Sequence, residues 1–176
     1  FKKMIVNKDW VYRNITTNDG KQVPYRWTHG ATDYHMGDGL MVYALVQHMR
    51  AKTCVCLGSG GGFIPRIMTQ ARKELYHQEI FTGNPDNNWG DIGVTYIVDA
   101  ANGVGGFTDW TKDDSFFRSN FHPRVILKTT EEAYYNYFVK EGVEIDYLHI
   151  DADHSYEGVK KDFDMYSKLV KKSGII

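Results

Sequence analysis

The segment I-D-Y-L-H-I-D-A-D-H-S-Y-E, residues 145–157, decides how this chain is read. Ile145, Tyr147, Leu148 and Ile150 make an apolar, strand-like run. It leads without a break into Asp151, Asp153, His154 and Glu157. Charge beside a core is costly unless it is paired or used. In open α/β sheets the carboxyl ends of the strands are where ligands sit. The segment therefore locates a candidate site and supplies its ionisable groups.

Strands and helices alternate around it. Leu40 to Met49 carries apolar residues at helical spacing, which predicts a helix over about 39–50. Thr53–Leu57 is a short apolar run that ends in Gly58-Ser59-Gly60-Gly61-Gly62. Phe63–Leu75 reads as a helix with Pro65 in its first turn. Val94–Asp99 and Arg124–Lys128 read as strands, and Thr130–Lys140 as a helix with Thr130 as its N-cap. Tyr156–Val170 is a predicted helix capped by Asp153 or Ser155, and Gly174-Ile175-Ile176 the start of a fifth strand. Residues 77–92 and 100–120 are polar or glycine-rich and read as loops. This alternation predicts an α/β fold, a Rossmann-like, doubly wound, mostly parallel sheet. Residues 1–38 are set apart as an aromatic segment with a hairpin around Asn18-Asp19-Gly20, and residues 39–176 as the main domain.

At 176 residues, with 42% hydrophobic and 24% charged residues, the chain suits a soluble domain with a real core. A net charge of −1 gives no field for nucleic acid or an anionic membrane. No apolar run reaches the roughly 18 residues of a membrane span. Cys54 and Cys56 stand two apart on a predicted strand and point to one face, a geometry that does not favour a disulfide. A reduced, cytoplasmic setting is expected. The chain opens on Phe1 and closes as a strand begins, so a domain lacking its C-terminal strands is expected. An open sheet edge of that kind favours pairing with a second copy, a homodimer.

Two further motifs carry chemistry. Gly58-x-Gly60-x-Gly62 after a strand lets the backbone turn sharply and leaves no side chain where a ligand must approach. The following helix aims its free N–H groups at the same spot. The dinucleotide fingerprint needs a glycine where Phe63 stands, which speaks against a nicotinamide-dependent oxidoreductase. Asp99, at the end of the second strand, is placed to accept hydrogen bonds from ribose hydroxyls. It stands further from the glycines than the usual 20 or so residues, with stretch 77–92 as the excess.

Glycine loop, strand-end Asp99, Thr129-Thr130 after the third strand and Asp151-Ala152-Asp153-His154 occur in that order. Over residues 50–176 the chain resembles class I S-adenosylmethionine-dependent methyltransferases. The D-x-D-H-x-Y-E strand end is similar to that of the macrocin O-methyltransferase and cephalosporin-hydroxylase-like branch. The resemblance implies methyl transfer from S-adenosylmethionine to a small-molecule hydroxyl. Gly58, Ser59, Gly60 and Gly62 would line the methionine part of the cofactor, Asp99 its ribose, and Thr129, Thr130 or Glu131 its adenine. Asp151 would face the sulfonium and the substrate. Relatives that use magnesium bind it with a carboxylate here, which implies Asp151 and Asp153 as its ligands. Asp153 or His154 would take the acceptor's proton. Cys56 stands where the superfamily often has an acidic residue, so a degenerate, cofactor-binding domain without turnover is the competing expectation.

The remaining histidines have plainer readings. His29 and His35 are expected to cap the substrate pocket if they are functional. His149 is expected to be a near-core residue turned from Asp151's neighbours.

Overall fold

A computed structural model of the chain describes His29, residues 36–81, 93–103, Trp110 and residues 122–176, with backbone alone for 76–81. The predicted hairpin, His35, and most of the two predicted loops lie outside the described residues. The elements in chain order are α1 (Asp38–Met49), β1 (Thr53–Leu57), α2 (Phe63–Phe81), β2 (Val94–Val98) and β3 (Arg124–Ile126). There follow α3 (Thr130–Ala133), continued by a π-turn over Tyr134–Phe138, then β4 (Ile145–Ile150), α4 (Tyr156–Tyr166) and β5 (Val170–Ile175). The strands form one sheet in the order β3-β2-β1-β4-β5, with every neighbouring pair parallel.

The central strand explains the layering. Successive side chains of a strand point to opposite faces. Cys54 and Cys56 pack with Val42, Val46, Ile67 and Met68 of α1 and α2 on one face. Val55 and Leu57 pack with Ala133, Phe138, Met165 and Tyr166 on the other. All four β1 residues are fully buried, so β1 is apolar throughout, as a strand covered on both faces must be. The expected doubly wound sheet is what forms. No described helix is long and apolar enough to cross a membrane.

Several boundaries differ from expectation. The helix expected to stop at Leu75 runs on to Phe81. The helix after β3 is capped by Thr129 rather than Thr130: Thr129 is extended (φ −60°, ψ 156°) and makes a reciprocal capping box with Glu132. Ser155 caps α4, accepting from the Gly158 N–H at 3.0 Å. The largest difference is at the end. The helix expected to reach Val170 stops at Tyr166, and β5 begins at Val170 rather than Gly174. Lys171 and Lys172 therefore lie on β5.

Asp146 ties this strand to the centre. Its Oδ2 accepts the N–H groups of Lys52 (2.9 Å) and Thr53 (2.8 Å), and its Oδ1 meets Lys171 Nζ at 2.8 Å. One carboxylate thus joins β4 to the starts of β1 and β5. Burial pushes its pKa up, but the Lys171 ammonium and the two backbone N–H groups outweigh burial and hold it below the usual carboxylate range. A depressed folded-state pKa means stability that is present above the unfolded value, near 4, and lost as pH falls through the folded one. Asp146→Ala is expected to lower stability by about 1–3 kcal/mol at pH 7, measured by urea unfolding. The gap from wild type should narrow as pH drops below about 4. A gap that stays constant down to about pH 3 would show that the carboxylate's charge contributes nothing.

Candidate active site

The strand ladder sets the level of the site. Gly58 N–H donates to Val98 O (2.8 Å), Asp151 N–H to Leu57 O (2.8 Å) and Asp99 N–H to Ile126 O (3.1 Å). Gly58, Asp99 and Asp151 are therefore the first residues beyond β1, β2 and β4, side by side at one end of the sheet. Strand order reverses between β1 and β4, so this end is the topological switch point, where α/β sheets open a crevice. The three sequence motifs meet there.

The glycines of the turn are not equivalent. Gly58, Gly60 and Gly62 all have positive φ (79°, 46° and 84°). A methyl group on Gly58 would stand 2.2 Å from the Asp151 carbonyl oxygen and 2.7 Å from Ala152 Cα. Gly58 is what lets the β1 and β4 ends touch. Among the described residues, a methyl group on Gly60 would meet no atom within 4 Å. No described residue covers Gly60, so its backbone is where a ligand can approach.

Ser59 and Asp99 lock this turn. Asp99 is 7% exposed. Its Oδ2 accepts Ser59 N–H at 3.0 Å and the Ser59 hydroxyl, and its Oδ1 accepts Ala101 N–H at 2.8 Å. Described residues thereby take three of roughly four acceptor positions on the carboxylate. Trp110, fully buried, donates its indole N–H to Ser59 Oγ at 2.8 Å. The Cys56 thiol points to Gly58 O at 3.0 Å. Burial pushes that thiol well above its ordinary pKa, so it is a protonated donor that steadies the turn.

Beyond β4, the carboxylate of Asp151 lies between two imidazoles. His154 Nε2 is 3.0 Å from Oδ1, and His29 Nε2 is 3.6 Å from Oδ2. His29 also stacks on Phe63, the first residue of α2, with ring centroids 5.9 Å apart. His149 is not turned away from this group: its ring meets that of His29 edge-on at 6.3 Å. The correction follows from strand alternation, since residues 149 and 151 lie on one face. Burial, opposed by the Asp151 charge, holds the His149 pKa below the ordinary imidazole value.

Asp153 is engaged elsewhere. Its Oδ1 accepts Ser155 N–H at 2.9 Å, and its carboxyl fills the space where a Gly158 side chain would stand. The Ser155 backbone N–H, helped by the hydroxyl, holds its pKa below the usual carboxylate range. It is thus a poor proton acceptor and part of the start of α4. The two carboxylates of the expected magnesium pair have different partners, Asp151 the two imidazoles and Asp153 the Ser155 N–H. Among the described residues no group of three His, Cys, Asp or Glu side chains is arranged to hold a metal ion. Thr130 is also committed elsewhere: its hydroxyl bonds Asp162 and its carbonyl accepts from the Tyr166 hydroxyl, which ties α3 to α4. Sequence reasoning missed Trp110, a lone tryptophan in a glycine-rich stretch with no periodicity to mark it.

A glycine turn and acidic strand ends that meet at the switch point of a parallel sheet are the frame of a Rossmann-like methyltransferase fold. The chain belongs to the methyltransferase-domain family, whose profile matches residues 55–176. An O-methyltransferase from Bacillus cereus, solved in complex with SAH, shares the fold with a TM-score of 0.52 at 18% identity. The likeness covers 76% of this chain and 51% of that one, so the chain spans about half the length of this relative. No curated protein matches the sequence.

The two glycines separate folding from ligand access. Gly58→Ala is expected to lower stability by at least about 2–3 kcal/mol, since the new methyl meets backbone and the φ is wrong. Gly60→Ala should cost only the left-handed conformation, about 1–2 kcal/mol. Thermal unfolding of both variants checks this. Equal losses would mean that Gly58 does not sit against Asp151.

Proposed function

We propose that the chain carries the cofactor-binding and catalytic part of an S-adenosylmethionine-dependent methyltransferase acting on a hydroxyl of a small molecule. The observation that supports this most is the open face of Gly60 beside Asp99 and Asp151 at the switch point. The cofactor fits the residues present. The glycine turn offers a surface without side chains to the methionine part, and Ser59 lines it. The acceptor position on Asp99 that no described residue takes suits a ribose hydroxyl. S-adenosylmethionine supplies an electrophilic methyl group when bound.

The residues themselves bind, orient and move a proton. Asp151 holds His154 by its Nε2. A carboxylate oxygen only accepts, so the hydrogen of a neutral His154 ring lies on Nε2 and the lone pair on Nδ1. Nδ1 is the acceptor we assign for the hydroxyl proton. Asp153, held in its charged form by Ser155, supports the helix start instead. Alignment of the acceptor with the methyl group supplies most of the remaining rate. The D-x-D-H-S-Y-E strand end favours the macrocin O-methyltransferase-like branch, and with it an oxygen acceptor. A second reading, binding without turnover, draws on Cys56: the position often used to hold the cofactor's amino group here braces the turn.

Calorimetric titration with S-adenosylhomocysteine, beside NADH, tests the cofactor. Heat with the former and none with the latter is expected, and the reverse would remove the methyltransferase reading. Asp99→Ala should weaken S-adenosylhomocysteine binding about 10- to 100-fold, the worth of a hydrogen bond to a charged group. Gly60→Ala should weaken it by a comparable factor while the protein stays folded. Unchanged affinity in Asp99→Ala would remove the ribose role from that residue.

A further inference from the structure

Trp110 is anchored before it reaches the glycine turn. It is fully buried and packs on Ile97 and Val125, which stand opposite each other on β2 and β3. Its backbone N–H donates to Asn102 Oδ1 at 2.9 Å, which ties it to the segment just beyond β2. A buried indole N–H needs a partner and can only donate. Here it reaches the hydroxyl of Ser59, inside the glycine turn, at 2.8 Å.

That bond determines what the hydroxyl does. A serine hydroxyl has one hydrogen, and Ser59 Oγ lies between the Trp110 indole and Asp99 Oδ2. The indole cannot accept, and an ionised carboxylate cannot donate. Oγ therefore accepts from Trp110 and gives its hydrogen to Asp99. With a fixed donor on one side and a carboxylate on the other, the Ser59 side chain is held in one orientation. Asp99 is in turn held on both oxygens. Oδ2 accepts from the hydroxyl and the N–H of Ser59 (3.0 Å), and Oδ1 from Ala101 N–H (2.8 Å). Every donor in this chain is neutral, so none of these bonds waits on a protonation. Successive hydrogen bonds of this kind also polarise one another.

We propose that Trp110 is a positioning residue for ligand recognition: through the Ser59 hydroxyl it fixes the plane of the Asp99 carboxylate, and so presets the acceptor position that no described residue takes for the hydroxyls of a bound ribose. The relay from Trp110 through Ser59 to Asp99 stands on the geometry alone. The ribose at its end rests on the methyltransferase reading. A carboxylate oriented in advance loses little freedom when the ligand arrives.

The relay is tested without ligand, in protein labelled with 15N at its tryptophan indoles. Trp110→Phe assigns the Trp110 indole signal by its loss. In Ser59→Ala that signal should move upfield, because its acceptor is gone. In Asp99→Asn, which keeps the shape of the side chain and removes its charge, it should move the same way by less, because Ser59 Oγ becomes a weaker acceptor. An indole signal that ignores Asp99→Asn overturns the relay. The ligand end is tested by calorimetry with S-adenosylhomocysteine and its 2′,3′-dideoxy analogue. Trp110→Phe keeps an aromatic ring but not the N–H. It should weaken S-adenosylhomocysteine about 2- to 10-fold, the worth of a neutral hydrogen bond. Affinity for the analogue should stay as in wild type. Equal weakening of both ligands, as a merely structural role would give, overturns the proposal, as does unchanged affinity for S-adenosylhomocysteine. In a Ser59→Ala background Trp110→Phe should cost nothing further, and additive losses would show that Trp110 does not act through Ser59. Absence of S-adenosylhomocysteine binding in wild type counts against the methyltransferase reading, and the indole spectra then decide the relay by themselves.

Discussion

The structure depends on hydrogen bonding at the ends of three adjacent parallel strands. Gly58 N–H reaches Val98 O, and Asp151 N–H reaches Leu57 O. These two bonds on opposite sides of β1 place the glycine turn and the acidic β4 end at one height. Parallel pairing makes this unavoidable once the register is set, because all strands leave the sheet at the same end. The apolar residues of β1, packed against helices on both faces, fix that register. Core packing and site geometry are thus one constraint, seen from two ends of the same strand.

The turn after β1 is where the constraint becomes chemical. Close approach of Gly58 to the Asp151 carbonyl excludes any side chain there. The backbone then has to leave the sheet through left-handed conformations that glycine tolerates. Ser59 is drawn inward to Asp99 and Trp110, which stiffens the turn without filling the space over Gly60. A ligand meets a preformed, rigid backbone surface, so little conformational entropy has to be lost on binding.

Much of this was legible in the sequence because strand ends and glycines carry local signals. The apolar runs at 53–57 and 145–150, and the order of glycine turn, Asp99 and Asp151, lead to the observed sheet. What was not legible depends on long-range contacts. Lys171-Lys172 has the composition of a helix surface, yet pairing with β4, joined by the Asp146–Lys171 ion pair, makes it part of a strand. Thr130 looks like a helix cap, yet the extended backbone of Thr129 takes that place. Trp110 and His29 come to the site from stretches without periodicity, and no local pattern predicts their partners. Asp151 and Asp153 are alike in sequence, but only the fold gives one to a pair of histidines and the other to a helix start.

That division between two nearby carboxylates explains how one short segment can serve both structure and chemistry. A helix beginning just beyond a strand leaves N–H groups that need acceptors. Asp153 and Ser155 supply them, which fixes the direction in which α4 departs. With that demand met by residues 153 and 155, Asp151 is left to the two imidazoles beside it. His154 stands between the two, on a short loop whose far end is capped and whose near end is bonded to β1. A loop so anchored gives an exposed imidazole little backbone freedom. Its remaining freedom is rotation of its own side chain, and the Asp151 carboxylate is the group positioned to restrain it.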